Sequence, residues 1–204
     1  ADRGANAAAV AQAIAAAVGA KIGNYMVYLP SYNFLSAIHR SFEFLCPDIK
    51  TIIQVRGATE REREEFLSKF RADNKETLVG FCVLGGIYSE GIDLVGERLV
   101  GSIIVGTGIP QLSLERGILQ EYYNNIGECG FVYAYVYPGI NRVLQAAGRV
   151  IRNEEDRGIV VLIDDRFASP QYKQLFPEHW RGLKFVGDAR SLSVLLERFW
   201  TECK

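Results

Sequence analysis

The chain has 204 residues, and its hydrophobic content of 49% is enough to fill the core of one compact domain. Charged residues make up 23% and the formal net charge is -1, which excludes the overall basic field typical of many nucleic-acid-binding domains. A polyanion would therefore have to bind at a local patch.

Cysteines and histidines offer neither a metal site nor a disulfide framework. The four cysteines include no Cys-x-x-Cys pair, and the two histidines do not stand at ligand spacing, so reduced thiols are the expectation. No apolar run approaches the ~20 residues that a membrane span needs. We expect a cytoplasmic protein without membrane contact and, because the chain begins without methionine, one that is part of a longer polypeptide.

Hydrophobic periodicity predicts strands and helices that alternate along the chain. The alanine-rich start predicts an N-terminal helix over residues 1–20. Short apolar runs predict strands at residues 25–29, 50–55, 77–84, 98–107 and 157–167. Helical spacing predicts helices at residues 31–45, 59–72, 113–126, 139–152 and 191–200.

Several helix boundaries carry local signals. Ser31 or Asn33 can cap the second helix, and Thr59 can cap the third. Pro138 stands at the start of the helix over 139–152, where a missing N–H costs little. The preceding FVYAYVY, residues 131–137, is compatible with a strand or with an aromatic segment leading into that helix.

Alternating strands and helices with short connections predict a single α/β domain with a mainly parallel sheet and helices on both faces. In such sheets the functional surface lies at the carboxyl ends of the strands. Ser31 and Tyr32 follow the first predicted strand, and Arg56 follows the second. We expect the functional arginines to lie at this same rim.

One predicted helical face carries Gln145, Gly148, Arg149 and Arg152. The offsets from Gln145 are three, four and seven, which places all four on one stripe. A solvated surface would explain them, with Arg152 paired to a nearby acid such as Asp156. A phosphate clamp would also explain them, because the guanidinium fork matches phosphate oxygens and Gly148 permits close approach.

The segment GGIYSEGIDL, residues 85–94, sets three glycines around Ser89, Glu90 and Asp93. It could bring backbone close to a ligand, or it could be a tight turn whose polar side chains satisfy local amides. It is not a phosphate-cradling P-loop, because the chain contains no G-x-x-x-x-G-K-[ST]. An arginine clamp here would therefore act on a nucleotide bound by another domain.

Together these motifs resemble the second motor domain of superfamily 2 DNA helicases of the XPD/DinG type. SEGIDL, QAAGRVIRNEEDRG and VVLIDDRF are similar to that family's motifs V and VI and the strand that follows. YLPSYNFL is similar to motif IV, and IIQVRGATEREREEFLSKF to the strand and helix after it. The resemblance covers roughly residues 1 to 180 in the family's order and implies a RecA-like fold.

The resemblance implies a nucleotide site completed in trans. Arg149 and Arg152 would be arginine fingers to the γ-phosphate of ATP, and Gln145 would orient the attacking water or link the nucleotide to the cleft. Glu90 and Asp93 would couple the nucleotide to the DNA track. ATP and Mg²⁺ would be bound mainly by the first motor domain of the same polypeptide.

The resemblance also implies a single-stranded DNA track and 5′-to-3′ movement. Ser31, Tyr32 and Ser89 would hold the DNA backbone, and Arg56 is a further candidate on the same edge. The chain alone would bind ATP feebly and hydrolyse none.

Two alternatives stay open. The chain could be a non-catalytic RecA-like interaction or regulatory module, which the absence of G-K-[ST] in a preceding segment would favour. It could also drive a nuclease elsewhere, although Asp164 and Asp165 are better explained as caps of the turn toward Arg166. For Tyr122 and Tyr123, in a longer segment than the family leads us to expect, packing is favoured over DNA stacking.

Overall fold

The computed structural model describes residues 3–89, 94, 96–151 and 156–202. Its centre is a sheet of five strands in the order β2-β3-β1-β4-β5, and every neighbouring pair is parallel. The strands are β1 (Asn24–Leu29), β2 (Lys50–Ile53), β3 (Leu78–Val83), β4 (Gly101–Val105) and β5 (Ile159–Ile163). The predicted parallel α/β sheet is confirmed.

Helices cover both faces of this sheet, as the alternation predicts. They are α1 (Arg3–Gly19), α2 (Tyr32–Leu45), α3 (Glu60–Ser68), α4 (Leu114–Asn125), α5 (Tyr137–Ala147), α6 (Pro170–Lys173) and α7 (Ala189–Glu202). One core joins residues of α1, α2 and α7 to the sheet, and a second joins residues of α3 and α5 to the opposite face. No helix in the described part of the chain has the length and apolarity to cross a bilayer.

Strand β1 shows how one sequence run serves both faces. All six of its residues are buried. Tyr25, Val27 and Leu29 belong to the core under α1 and α2, whereas Met26 and Tyr28 belong to the core under α5. The alternation of side chains along a strand therefore divides a continuous apolar run between two cores.

Two helices begin directly after the capping residues that the sequence predicts. The Ser31 hydroxyl accepts a hydrogen bond from the Phe34 N–H at 3.3 Å, which makes Ser31 the N-cap of α2. Thr59 caps α3 in a reciprocal capping box with Glu62. Such caps satisfy backbone N–H groups that have no partner within the helix.

The aromatic segment before α5 is helical, so its interpretation as a strand is wrong. Residues Val132–Val136 form a π-helix that continues directly into α5, and the Tyr137 N–H donates to the Val132 carbonyl. The rings of Phe131 and Tyr135 stack at 5.3 Å, which is contact at helical spacing. Pro138 accordingly lies inside a longer helical segment, where the wide turn accommodates a residue without an N–H.

Helix α5 ends before the predicted boundary at residue 152. Ala147 is its last residue and Gly148 is the C-cap. The next two N–H groups, of Arg149 and Val150, bond to carbonyls three residues earlier, which is the tighter spacing of a turn. Val150 is buried in the core under α5, so the chain turns inward there. The expectation of one continuous helical stripe through Arg149 is therefore corrected.

Candidate functional site at the carboxyl edge and along α5

The carboxyl ends of the parallel strands bring three separate segments together. Ser31 and Tyr32 follow β1, Gln54 and Arg56 follow β2, and residues 84–89 follow β3. We call residues 84–89 the β3 loop. Because all strands run the same way, these segments meet at one edge of the sheet, as the sequence predicts.

Tyr32, Gln54 and Arg56 form an interlocked group, here called the Tyr32 cluster. The Gln54 Nε2 atom donates to the Tyr32 hydroxyl at 2.9 Å, and the Arg56 guanidinium lies over the Tyr32 ring, 4.7 Å from its centroid. Arg56 is exposed and Tyr32 is half-buried, so the cluster presents an aromatic ring and a cation at the surface. Two of the predicted DNA-binding residues are thus in contact.

Gln54 is the residue that the sequence interpretation missed. It is 6% exposed, and its Oε1 atom accepts from the Val83 N–H at 2.8 Å. Its side chain therefore connects the ends of β2 and β3 to Tyr32. The signal available in the sequence is a glutamine within the apolar run IIQV, because a buried amide needs hydrogen-bond partners close by.

The β3 loop is held by its own polar groups. The Ser89 hydroxyl accepts from the Gly85 N–H at 2.9 Å and donates to the Val83 carbonyl at 3.3 Å, and Ser89 is fully buried. Gly85 has φ of 74°, a conformation that favours glycine. The alternative of a loop that satisfies its own amides fits Ser89, and its DNA contact stays a prediction that requires the loop to open. Glu90 and Asp93 lie outside the described residues.

Helix α5 runs opposite to the strands, so its two ends lie at opposite edges of the sheet. Near its start, Gly139 touches the turn after β4, because a Cβ atom there would lie 2.7 Å from the Thr107 carbonyl oxygen. Near its end, the Ala146 carbonyl accepts from Ser102, the second residue of β4. The expectation that the arginines sit at the carboxyl rim is therefore wrong for the backbone of Arg149.

The Arg149 side chain turns back along α5. Its Nε atom donates to the Gln145 carbonyl at 3.1 Å, and Arg149 as a whole is half-buried while Gln145 and Gly148 are exposed. Burial, reinforced by the Cys82 thiol, raises the pKa of Tyr28 well above its ordinary value, and the charge of Arg149 partly opposes this. We call Gln145, Gly148 and Arg149 the arginine end of α5. Arg152 lies outside the described residues.

Tyr28 joins the core under α5 to the β3 loop, because its hydroxyl donates to the Tyr88 carbonyl at 3.0 Å. Tyr32 and Arg56 lie together at the carboxyl edge, whereas the backbone of Arg149 lies toward the opposite edge. These are two regions rather than one pocket.

The described part of the chain shows little sign of metal binding or of reactive thiols. No group of three or more His, Cys, Asp or Glu residues there could hold a metal ion. Burial raises the pKa values of Cys46 and Cys82, which is typical of inert thiols. Asp164 accepts from the Arg166 backbone N–H at 3.0 Å and pairs with its guanidinium, so its interpretation as a turn cap is confirmed.

Tyr122 and Tyr123 have a packing role in the structure. The rings of Tyr123 and Tyr133 are stacked 4.0 Å apart, and the Tyr122 ring meets Tyr123 edge-on at 5.4 Å. Arg116 of α4 donates to the Ala134 carbonyl within the π-helix at 2.6 Å. The tyrosines therefore join α4 to the π-helical segment that precedes α5.

Comparisons with known proteins agree with this architecture. Residues 14–182 match the family described as "Helicase C-terminal domain". The ATP-dependent DNA helicase DinG of Photobacterium profundum is 30% identical over 149 residues, which are 72% of this chain and 21% of that protein. The probable ATP-dependent helicase MJ0942 of Methanocaldococcus jannaschii is 29% identical over 160 residues, 72% of this chain and 24% of that protein.

Among solved structures, "XPD_APO" superposes with a TM-score of 0.66 at 20% identity, over 84% of this chain and 34% of that chain. At this identity the similarity concerns the fold, which is the RecA-like fold that the motifs predicted. This chain therefore spans only about a fifth to a third of the proteins that it matches. It belongs to the helicase C-terminal domain family, as the corresponding domain of an XPD/DinG-type helicase.

Proposed function

We propose that this chain is the second motor domain of an ATP-dependent DNA helicase that moves 5′-to-3′ on single-stranded DNA. One observation carries the proposal: the structure has a surface with an aromatic ring and a cation, the Tyr32 cluster, at the carboxyl edge, and α5 leads from that edge to the arginine end. The same domain thus presents a surface suited to DNA and a surface suited to phosphate.

The arginine end serves the nucleotide. ATP supplies the phosphoryl group, and it is bound with Mg²⁺ mainly by the first motor domain of the same polypeptide. The donor set fits this partner, because a guanidinium presents planar N–H groups that match phosphate oxygens. Arg149, together with Arg152, stabilises negative charge that develops on the γ-phosphate during hydrolysis. Gln145, exposed one turn before Arg149, orients water at the same place.

Loop residues after β3 link the nucleotide to the DNA. Glu90 and Asp93 follow residue 89 in the sequence, and they carry the response from the arginine end to the track. Gly148 is exposed beside Arg149, and the absence of a side chain there lets the triphosphate approach the backbone.

The Tyr32 cluster serves the DNA. The Tyr32 ring offers a stacking surface that accepts any base, and the Arg56 guanidinium offers a charge for the backbone. Ser31 holds the start of α2 so that Tyr32 is presented in one orientation. These contacts do not distinguish bases, as a motor that moves along any sequence requires.

A paired substitution in the intact polypeptide tests this division of labour. We expect Arg149→Ala, and separately Arg152→Ala, to lower DNA-stimulated ATP turnover by about a hundredfold or more, with little change in DNA affinity. Tyr32→Ala should do the reverse, weakening single-strand binding in fluorescence anisotropy while ATP turnover at saturating DNA stays unchanged. Undiminished turnover in both arginine variants would contradict the proposal and favour a non-catalytic interaction module.

A further inference from the structure

Arg142 lies at the carboxyl edge between two strand-following loops. It is the sixth residue of α5, and its Nη1 atom donates to the Gly108 carbonyl after β4 at 3.4 Å. Its side chain also covers Gly85 in the β3 loop, where an added Cβ would lie 2.9 Å from the Arg142 Cδ and Nε atoms. The absence of a side chain at Gly85 makes room for the guanidinium.

The Arg142 guanidinium keeps most of its hydrogen-bonding capacity. The bond to Gly108 is long, and no acid in the described ranges pairs with Arg142. The residue is half-buried, and in the described part of the chain neither Nε nor Nη2 is a fully buried atom without a partner, so solvent reaches part of the guanidinium. A charge that is positioned by two loops and faces water is suited to an anion.

The surroundings place this charge on the same edge as the Tyr32 cluster. Gly86 follows Gly85, and a Cβ atom on Gly86 would lie 3.2 Å from the Nε2 atom of Gln54. Gln54 in turn bonds to Tyr32, whose ring carries Arg56. The β3 loop therefore separates two guanidinium groups, and both lie beside loops that follow parallel strands.

We infer that Arg142 binds a phosphate of the single-stranded DNA, as a second cation of the track on the opposite side of the β3 loop from Arg56. This inference rests on the proposed function. It also gives the segment around α5 a second task, because Arg142 lies within α5 and Arg149 follows its C-cap, Gly148. In this proposal the helix contacts the DNA, and the turn after it contacts the nucleotide.

Salt-dependent binding tests the inference in the intact polypeptide with a fluorescein-labelled oligothymidylate. Arg142→Gln should lower the affinity about tenfold, and it should reduce the slope of log affinity against log salt concentration by about 0.7, the value for one phosphate contact on a single strand. Arg142→Lys keeps the charge and should keep the slope. Arg198→Gln is the matched control, because Arg198 pairs with Glu202 on α7 and should leave affinity and slope unchanged.

The other possible results of this experiment each have a definite interpretation. Unchanged affinity and slope in Arg142→Gln would overturn the assignment. A loss of affinity with an unchanged slope, shared by Arg142→Lys, would also overturn it, because that pattern indicates loops that have come apart rather than a lost phosphate contact. If the parent protein binds oligothymidylate and the Arg142 substitutions change nothing, this inference fails and the proposed function stands. If the parent protein does not bind oligothymidylate, both the inference and the proposed function fail.

Discussion

The two ends of α5 are held in place in different ways. At its start, the helix meets the turn after β4 backbone to backbone, and Arg142 contacts loops after two strands. Nearby, Gln54 connects the ends of β2 and β3 to Tyr32. At its end, Gln145 and Gly148 are exposed, and the Arg149 Nε atom bonds to a carbonyl of its own helix.

The contacts at the carboxyl edge show which part of the surface is held in place by bonds between loops of this chain. Such contacts preorganise the edge before any ligand arrives, and preorganisation lowers the entropic cost of binding. This fits the proposed DNA track, which needs side chains of this domain in fixed positions.

A side chain introduced where the start of α5 packs against the turn after β4 should have the largest effect on stability. A Cβ atom in Gly139→Ala would meet backbone at Thr107 and Ile109, within 3.0 Å, and backbone cannot rotate away. We expect a loss of about 3 kcal/mol in the free energy of unfolding in urea. Gly117→Ala in α4 is the control, because a Cβ atom there meets nothing within 4 Å, and it should raise stability by up to ~1 kcal/mol. Equal effects of the two would contradict the close contact.

Removing the Gln54 side chain should have the next largest effect. Gln54→Ala leaves the Val83 N–H without its partner, and we expect a cost of about 2 kcal/mol. Tyr32→Phe removes only the hydroxyl that accepts from Gln54 and should cost about 1 kcal/mol. In urea unfolding, the double variant should lose about 1 kcal/mol less than the sum of the two single costs. Additive costs would show that the Tyr32 cluster is not interlocked.

The ion pair of Asp164 and Arg166, which follows β5, should have the smallest effect on stability. We expect that effect to appear as a dependence of stability on pH. Partial burial alone would raise the pKa of Asp164, but hydrogen bonds and charge from Arg166 outweigh it and hold that pKa below its ordinary value. A lowered pKa in the folded state gives stability that is present above the unfolded pKa and is lost as pH falls through the folded value. Asp164→Asn should therefore flatten the acid limb of stability by less than about 1 kcal/mol.

Asp165→Asn is the control for that measurement. Asp165 is adjacent in sequence and makes no comparable pairing in the part of the chain that the structure describes. Thermal unfolding followed from neutral to acid pH should separate the two variants. An acid limb that is as steep in Asp164→Asn as in the parent would show that the pair contributes nothing measurable.

Much of the fold could be predicted because its signals are local. The run YMVYL, residues 25–29, is hydrophobic throughout, which is typical of a central parallel strand, and Ser31 and Thr59 cap helices through bonds to residues three positions on. For residues 131–137 the sequence left a strand and an aromatic segment leading into the helix open, because alternating aromatic and branched residues satisfy the strand pattern and the i,i+4 pairing of a helix equally well; the structure confirms the second. Its stacking onto Tyr123 of α4 is a contact that no local pattern contains.

In the candidate site too, some features could be predicted from local sequence and others could not. Residue type and spacing were enough to single out Gln145, Gly148 and Arg149, and to place Tyr32 and Arg56 after two parallel strands. They could not show that Gln54 bonds to both Val83 and Tyr32, that Ser89 is turned inward, or that Arg142 faces two loops. Each of these depends on segments that are at least twenty residues apart in the chain or on a choice between two directions for one side chain.

By itself, the sequence determined the parallel α/β architecture, the helix starts and the residue types that suit phosphate and bases, because periodicity, caps and side-chain chemistry act over a few neighbouring residues. Only the tertiary structure decided that Gln54 bonds to Tyr32 and that Arg142 lies between the loops after β3 and β4. Both contacts join segments more than twenty residues apart in the chain, so no local pattern contains them.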